Sequence, residues 1–226
     1  MADKPLLLAI DTATRFAGLA LYDGEIVRSE ACWLSNRNHS TELTPTMVRM
    51  LDQQGVEAKD ISAVAVATGP GSFTGLRIGL AVAKGLAEPR NVPILGVPTL
   101  DILAFQHAEQ RRPIWAVIQA GRKRLCVGRY ERRRGRWRQR GEIHLTTLED
   151  LIELIAGRCL VCGELSRDEI DYIAEHSEQD IVFATPSQSV RRPACLAELA
   201  WRRFERGESD DLATLSPTYI HPLLSQ

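Results

Sequence analysis

The chain has 226 residues, with 28 Lys and Arg against 29 Asp and Glu for a formal net charge of -1. Hydrophobic residues make up 44% and charged residues 25%, which excludes disordered and fibrous classes, and no apolar run approaches the roughly 20 residues needed to cross a bilayer. Residues 1–5 lack the basic and apolar stretches of a secretory signal, and the five cysteines are an odd, scattered set, so the expected setting is a reducing cytoplasm with buried thiols.

Residues 6–10 form a continuous apolar run ending at Asp11, as a buried central strand requires. Strands predicted at 16–22 and 25–33 meet at Asp23-Gly24, a strong hairpin signal. A helix follows, either capped by Ser40 or starting at Thr44 with Pro45 in its first helical position, and it carries Leu43, Met47, Met50 and Leu51 on one face. The β-branched run 61–67 is a second buried strand; it leads through a glycine-rich segment, 69–75, into a helix ending near Ala87. A strand at 92–97 and a helix at 98–110 complete the first half.

The second half restarts with strands at 114–119, 125–130 and 136–144. Thr147 caps a helix reaching Ala156, a strand follows at 159–162, and helices are predicted at 165–176 and 193–206. Residues 208–211 read as an acidic loop and 217–221 as an extended tail. Three strands, then helix, strand and helix, used twice, describe a duplicated α/β lobe with a mixed sheet, unlike a doubly wound sheet. The expected lobes are 1–100 and 101–226.

Four groups of residues invite chemistry. Asp11-Thr12-Ala13-Thr14 at the first strand's end can hold a hydrated metal and phosphate, or simply satisfy the backbone of a turn. The glycine-rich segment is neither a Walker loop nor a dinucleotide fingerprint. In its helix Gly75, Gly79 and Ala83 recur every fourth residue, although each internal glycine costs about 0.5–1 kcal/mol relative to alanine. Another backbone must therefore pack closely there, belonging either to the chain's own sheet or to a partner. Ser72 lies outside a nucleophile elbow, and His39 beside Ser40 is no dyad on sequence proximity alone. Cys159 and Cys162, inside a strand and without a second pair, fit a core better than zinc. Finally, residues 122–140 hold ten Lys and Arg with Tyr130 and Trp137 interleaved and Glu131 alone opposing. This stretch either attracts nucleic-acid phosphates or guards an exposed sheet edge.

The segment Leu8-Ala9-Ile10-Asp11-Thr12-Ala13-Thr14, the pair His39-Ser40 and the block Gly69-Pro70-Gly71-Ser72-Phe73-Thr74-Gly75-Leu76-Arg77-Ile78-Gly79 together resemble the TsaB (YeaZ) family. The likeness covers residues 6–104 and continues collinearly to 217–220. It implies a two-lobed fold of the actin, sugar-kinase and heat-shock ATPase type. It also implies a subunit that binds and activates TsaD for transfer of threonylcarbamoyl, supplied by TsaC as an adenylate, to adenosine 37 of tRNAs reading codons that begin with A. TsaE joins that complex, and the tRNA is met indirectly through it. No membrane is involved.

The same resemblance implies a lost active site, leaving Asp11, Thr12 and Thr14 as a vestigial phosphate turn. Ala13 stands where catalysts of the fold carry glycine, and Gln119-Ala120-Gly121 stands where they carry a carboxylate. Gly163 is a single glycine in place of an adenosine-binding pair, and residues 97–103 lack the two metal-binding histidines of TsaD. No catalytic residue and no cofactor is expected for the chain alone, with ATP or ADP left for the complex interface; an active kinase or ATPase of the same fold is the alternative. The partner surface implied is the helix pair 41–54 and 73–87, through Leu43, Met47, Met50, Leu51, Ser72, Phe73, Gly75, Arg77, Ile78, Gly79, Val82 and Ala83. Without TsaD it would close on a second copy as a homodimer. Arg132, Arg133, Arg134, Arg136 and Arg138 are the candidate tRNA contacts.

Overall fold

The computed structural model describes residues 4–36, 38–133 and 136–220 and divides into two compact units. The first unit spans Met1–Ile102 and Arg192–Thr218. Its strands are β1 (Leu6–Asp11), β2 (Phe16–Tyr22), β3 (Val27–Leu34), β4 (Ile61–Gly69) and β5 (Ile94–Pro98), in the sheet order β3-β2-β1-β4-β5. β1 pairs antiparallel with β2 and parallel with β4, so the sheet is mixed.

Register sets the two faces. Leu8 lies opposite Leu21 and Val64, and Ile10 opposite Leu19 and Val66; these side chains form the core beneath α1 (His39–Gln53) and α2 (Phe73–Ala87). The opposite face is covered by α7 (Pro193–Phe204), whose ring of Trp201 meets Tyr22 edge-on at 5.4 Å. Gly18 lacks a side chain because Pro193 occupies that space. The expectation that 101–226 makes one lobe is therefore corrected. Residues 192–218 belong to the first unit, because an open sheet must bury both faces and α7 supplies the second cover.

The second unit spans Leu103–Arg191 and Tyr219–Gln226. The division in sequence falls within α3 (Thr99–Gln106). The strands are β6 (Ile114–Gly121), β7 (Arg124–Arg133), β8 (Arg136–Gln139), β9 (His144–Thr146), β10 (Cys159–Gly163) and β11 (Ile181–Phe183). Their order, β11-β10-β6-β7-β8 with β9 on β7, repeats the first sheet: two antiparallel neighbours on one side and two parallel ones on the other. Trp115, Val117, Leu125, Val127 and Val161 pack against Leu151 of α4 (Leu148–Leu154) and Ile173 of α5 (Arg167–His176).

Three features differ from the sequence reading. The predicted strand at 136–144 is two short ones, and β11 with the single-turn α6 (Pro186–Ser189) lies where no element was expected. α1 begins at His39 with Asn38 as its cap residue and holds Pro45 inside. Pro45 is tolerated because it sits on the exposed side, where water can reach the carbonyl its ring leaves unbonded. No helix of the described residues is long and apolar enough to cross a membrane.

Candidate functional site

The first candidate turn follows β1. The Ala13 amide donates to Asp11 Oδ1 at 2.9 Å, and the Phe16 amide to Thr14 Oγ1 at 3.3 Å. Thr12 Oγ1 donates to the Gly75 carbonyl at 2.8 Å, and the Ser72 amide donates to the Ala13 carbonyl at 2.6 Å. His39 lies 2.8 Å through Nε2 from the Thr14 carbonyl, an acceptor only, so that nitrogen carries the proton. These bonds tie the turn to the start of α2 and to α1. Asp11, Thr12 and Thr14 are 2%, 1% and 5% exposed, so each serves the turn's own backbone and neighbours.

The glycine periodicity of α2 is explained by the same turn. A Cβ at Gly75 would overlap the Thr12 carbonyl oxygen, one at Gly79 the Thr12 hydroxyl, and one at Gly71 the Ala13 carbonyl. The closely packed backbone is the chain's own. Assignment of Gly75, Gly79 and Ala83 to a partner surface is corrected on this ground, since all three face the first sheet and turn. Leu43, Met47, Met50 and Leu51 are corrected too: at 1–6% exposure they fill the first unit's core. What α2 turns outward is a different strip. Phe73 is 53% exposed with the Arg77 guanidinium 3.8 Å over its ring, and Ala81 and Gly85 continue the line while Ile78 and Val82 flank it half-buried. Ser72 caps the helix by accepting the Gly75 amide at 3.2 Å.

The second unit's equivalent turn ends β6. There Gln119 Nε2 donates to the Glu164 carbonyl at 3.0 Å and to the Glu169 carboxylate at 3.1 and 3.2 Å, while its backbone amide donates to Glu164 Oε2 at 3.2 Å. The other carboxylate oxygen of Glu164 accepts from Arg191 at 2.9 Å, with both side chains almost wholly buried. Gly163, at φ +117°, is required because a Cβ would overlap the Val117 carbonyl. A carboxamide held as a donor between two glutamates is the reverse of the carboxylate that Mg²⁺ needs. Sequence reasoning found Gln119 and Gly163 but missed Glu164, Glu169 and Arg191. The capping box Ser166 to Glu169 was the visible trace of this cluster; Arg191 had none.

Other candidates fall outside any reactive arrangement. Ser40 is exposed while His39 points at Thr14. Burial pushes the thiols of Cys159 and Cys162 up to about 11 and about 12, leaving them protonated and inert. Among the described residues, no group of three or more His, Cys, Asp or Glu could hold a metal. Arg132, Arg133 and Arg138 are exposed on the β7–β8 hairpin; Arg134 lies outside the described residues, as does the side chain of Arg136.

With that geometry in hand, comparisons decide the family. The family model described as TsaD, tRNA N6-adenosine threonylcarbamoyltransferase, matches residues 33–213. The tRNA threonylcarbamoyladenosine biosynthesis protein TsaB of Bacillus subtilis is 29% identical over 219 residues, covering 95% of this chain and 93% of that protein. The chain belongs to this family, on its TsaB (YeaZ) branch. The solved structure of YeaZ from Pseudomonas aeruginosa superposes with a TM-score of 0.79 at 27% identity, over 96% of this chain and all of that one. A hexokinase of the ROK type from Thermus thermophilus shares the fold alone, with a TM-score of 0.51 at 11% identity over 89% of this chain and 100% of that one. The TsaB branch is thus built on the two-lobed actin, sugar-kinase and heat-shock ATPase fold.

Proposed function

We propose that the chain is a non-catalytic cytoplasmic subunit that binds and activates TsaD in making threonylcarbamoyladenosine at position 37 of tRNAs reading codons that begin with A. The observation that carries this reading is the second-unit turn. Gln119 is committed to Glu164 and Glu169, and Arg191 seals Glu164, so the groups that would hold magnesium and a nucleotide phosphate are replaced by an internal network. The first turn supports it, since Asp11 and its threonines are spent on local bonds. ATP or ADP then enters only where this chain meets TsaD.

The docking face is the outward strip of α2, from Phe73 and Arg77 to Ile78, Ala81 and Val82. Helix pairs of this kind dock by burying such strips against an equivalent pair. In the absence of TsaD the strip closes on a second copy, and TsaE joins the TsaD-bound form. The test is Ala81→Arg, a change on the exposed side that leaves the core untouched. Co-elution with TsaD and tRNA modification in the reconstituted reaction should fall at least tenfold with the melting temperature unchanged. Full retention of both would overturn the interface, and saturable MgATP hydrolysis by the isolated chain, abolished by Asp11→Ala, would overturn the non-catalytic assignment.

A further inference from the structure

The β7–β8 hairpin carries its charge in a pattern that register makes explicit. Glu131 lies opposite Arg138, Arg133 opposite Arg136, and the Arg140 amide donates to the Arg129 carbonyl at 2.7 Å. Directly opposed and alternate residues share a face, the latter about 7 Å apart along a strand. Arg129, Arg133, Arg138 and Arg140 therefore share one face with Glu131. That carboxylate sits 2.8 Å from Arg129 and 4.0 Å from Arg140, so one acid orients two guanidiniums without balancing the four. Arg129 Nε is buried with no hydrogen-bond partner among the described residues, a donor left unmet by the chain. On the other face Arg132 is exposed opposite Trp137, whose indole donates to the Ala108 carbonyl at 2.6 Å and pins β8 in place.

Guarding a sheet edge explains charges on β8, which is the edge strand. It does not explain Arg129, which sits on β7 between Trp115 of β6 and Arg140 on the other side, while Arg132 and Arg133 reach past the end of β6 and pair with β8 alone. A lipid surface is a poor match, because none of the large exposed hydrophobic residues among those described lies on this hairpin. Guanidiniums repeated along a rigid strand suit a phosphate backbone, each fork taking two phosphate oxygens.

We propose that this hairpin contacts the sugar–phosphate backbone of tRNA directly. The identity of the RNA rests on the function proposed above; the polyanion chemistry does not. The test is fluorescence anisotropy of the full chain with an unmodified tRNA transcript between 50 and 200 mM salt, using Arg133→Gln/Arg138→Gln/Arg140→Gln and the matching triple Lys variant. Loss of three phosphate contacts should flatten the slope of log affinity against log salt by about 2 to 3 and weaken binding at least about tenfold at low salt, while the Lys variant keeps the wild-type slope. An unchanged slope in the Gln variant overturns the proposal, as does binding to phosphatidylserine vesicles in place of tRNA. Co-elution with TsaD, measured on the same variants, is expected to persist; if even the wild type fails to co-elute while the slope change stands, the subunit reading falls and the hairpin proposal survives.

Discussion

Two glycines of α2, ten residues apart, face opposite environments. Gly75 lies against the Thr12 carbonyl, so Gly75→Ala forces backbone apart and should destabilise the chain by about 1–3 kcal/mol. Gly85 has nothing within 4 Å of where its Cβ would stand, so Gly85→Ala should stabilise the isolated chain by about 0.5–1 kcal/mol through helix propensity alone. Thermal melting of the two variants should move in opposite directions; equal shifts would contradict the packing. The sequence made the glycine spacing visible and required a close backbone, but periodicity carries no information about which chain that backbone belongs to. Only the position of Thr12, supplied by a turn more than sixty residues away, resolves it.

At the scale of elements, the edge of the first sheet at β5 is closed by a lock. Asp210 forms a bridge with Ile94 and accepts the Gly96 amide at 2.6 Å, while Arg203 of α7 grips both its carboxylate oxygens at 2.7 and 3.0 Å. The Arg203 hydrogen bond, helped by the Gly96 amide, holds the Asp210 carboxyl below its ordinary value of 3.8. A depressed carboxyl stabilises the fold above its unfolded pKa and loses that contribution as pH falls through the folded one. Asp210→Asn should therefore weaken the chain by about 1–3 kcal/mol near neutrality, with the gap to wild type closing below pH 3.8 in denaturant titrations. The sequence marked 208–211 only as an acidic loop, since nothing local tells a solvated acid from one gripped by a helix. The same blindness affected α1. Spacing placed Leu43, Met47, Met50 and Leu51 on one face correctly, yet an apolar face looks identical whether a sheet of the same chain or another protein covers it.

For the whole molecule, the repeat was legible because each half announces itself locally. Buried runs, the Asp23-Gly24 turn and the cap at Thr147 are short-range signals that formed, whereas the Ser40 cap offered for α1 gave way to Asn38. The return of α7 to the first sheet was not legible, because it is a contact between segments nearly two hundred residues apart. A chain ending at Arg191 should consequently lose cooperative unfolding and bind a hydrophobic dye, since one face of the first sheet would lie bare. A sharp two-state transition in that truncated chain would show the cover to be dispensable.

That late-arriving cover has a consequence for biogenesis. About 90 residues separate the first sheet's own strands from α7, so at roughly 5–20 residues per second the ribosome leaves an apolar surface waiting for several seconds. During that interval the nascent polypeptide is a natural client for a chaperone, and translation pauses within the second unit would prolong its exposure.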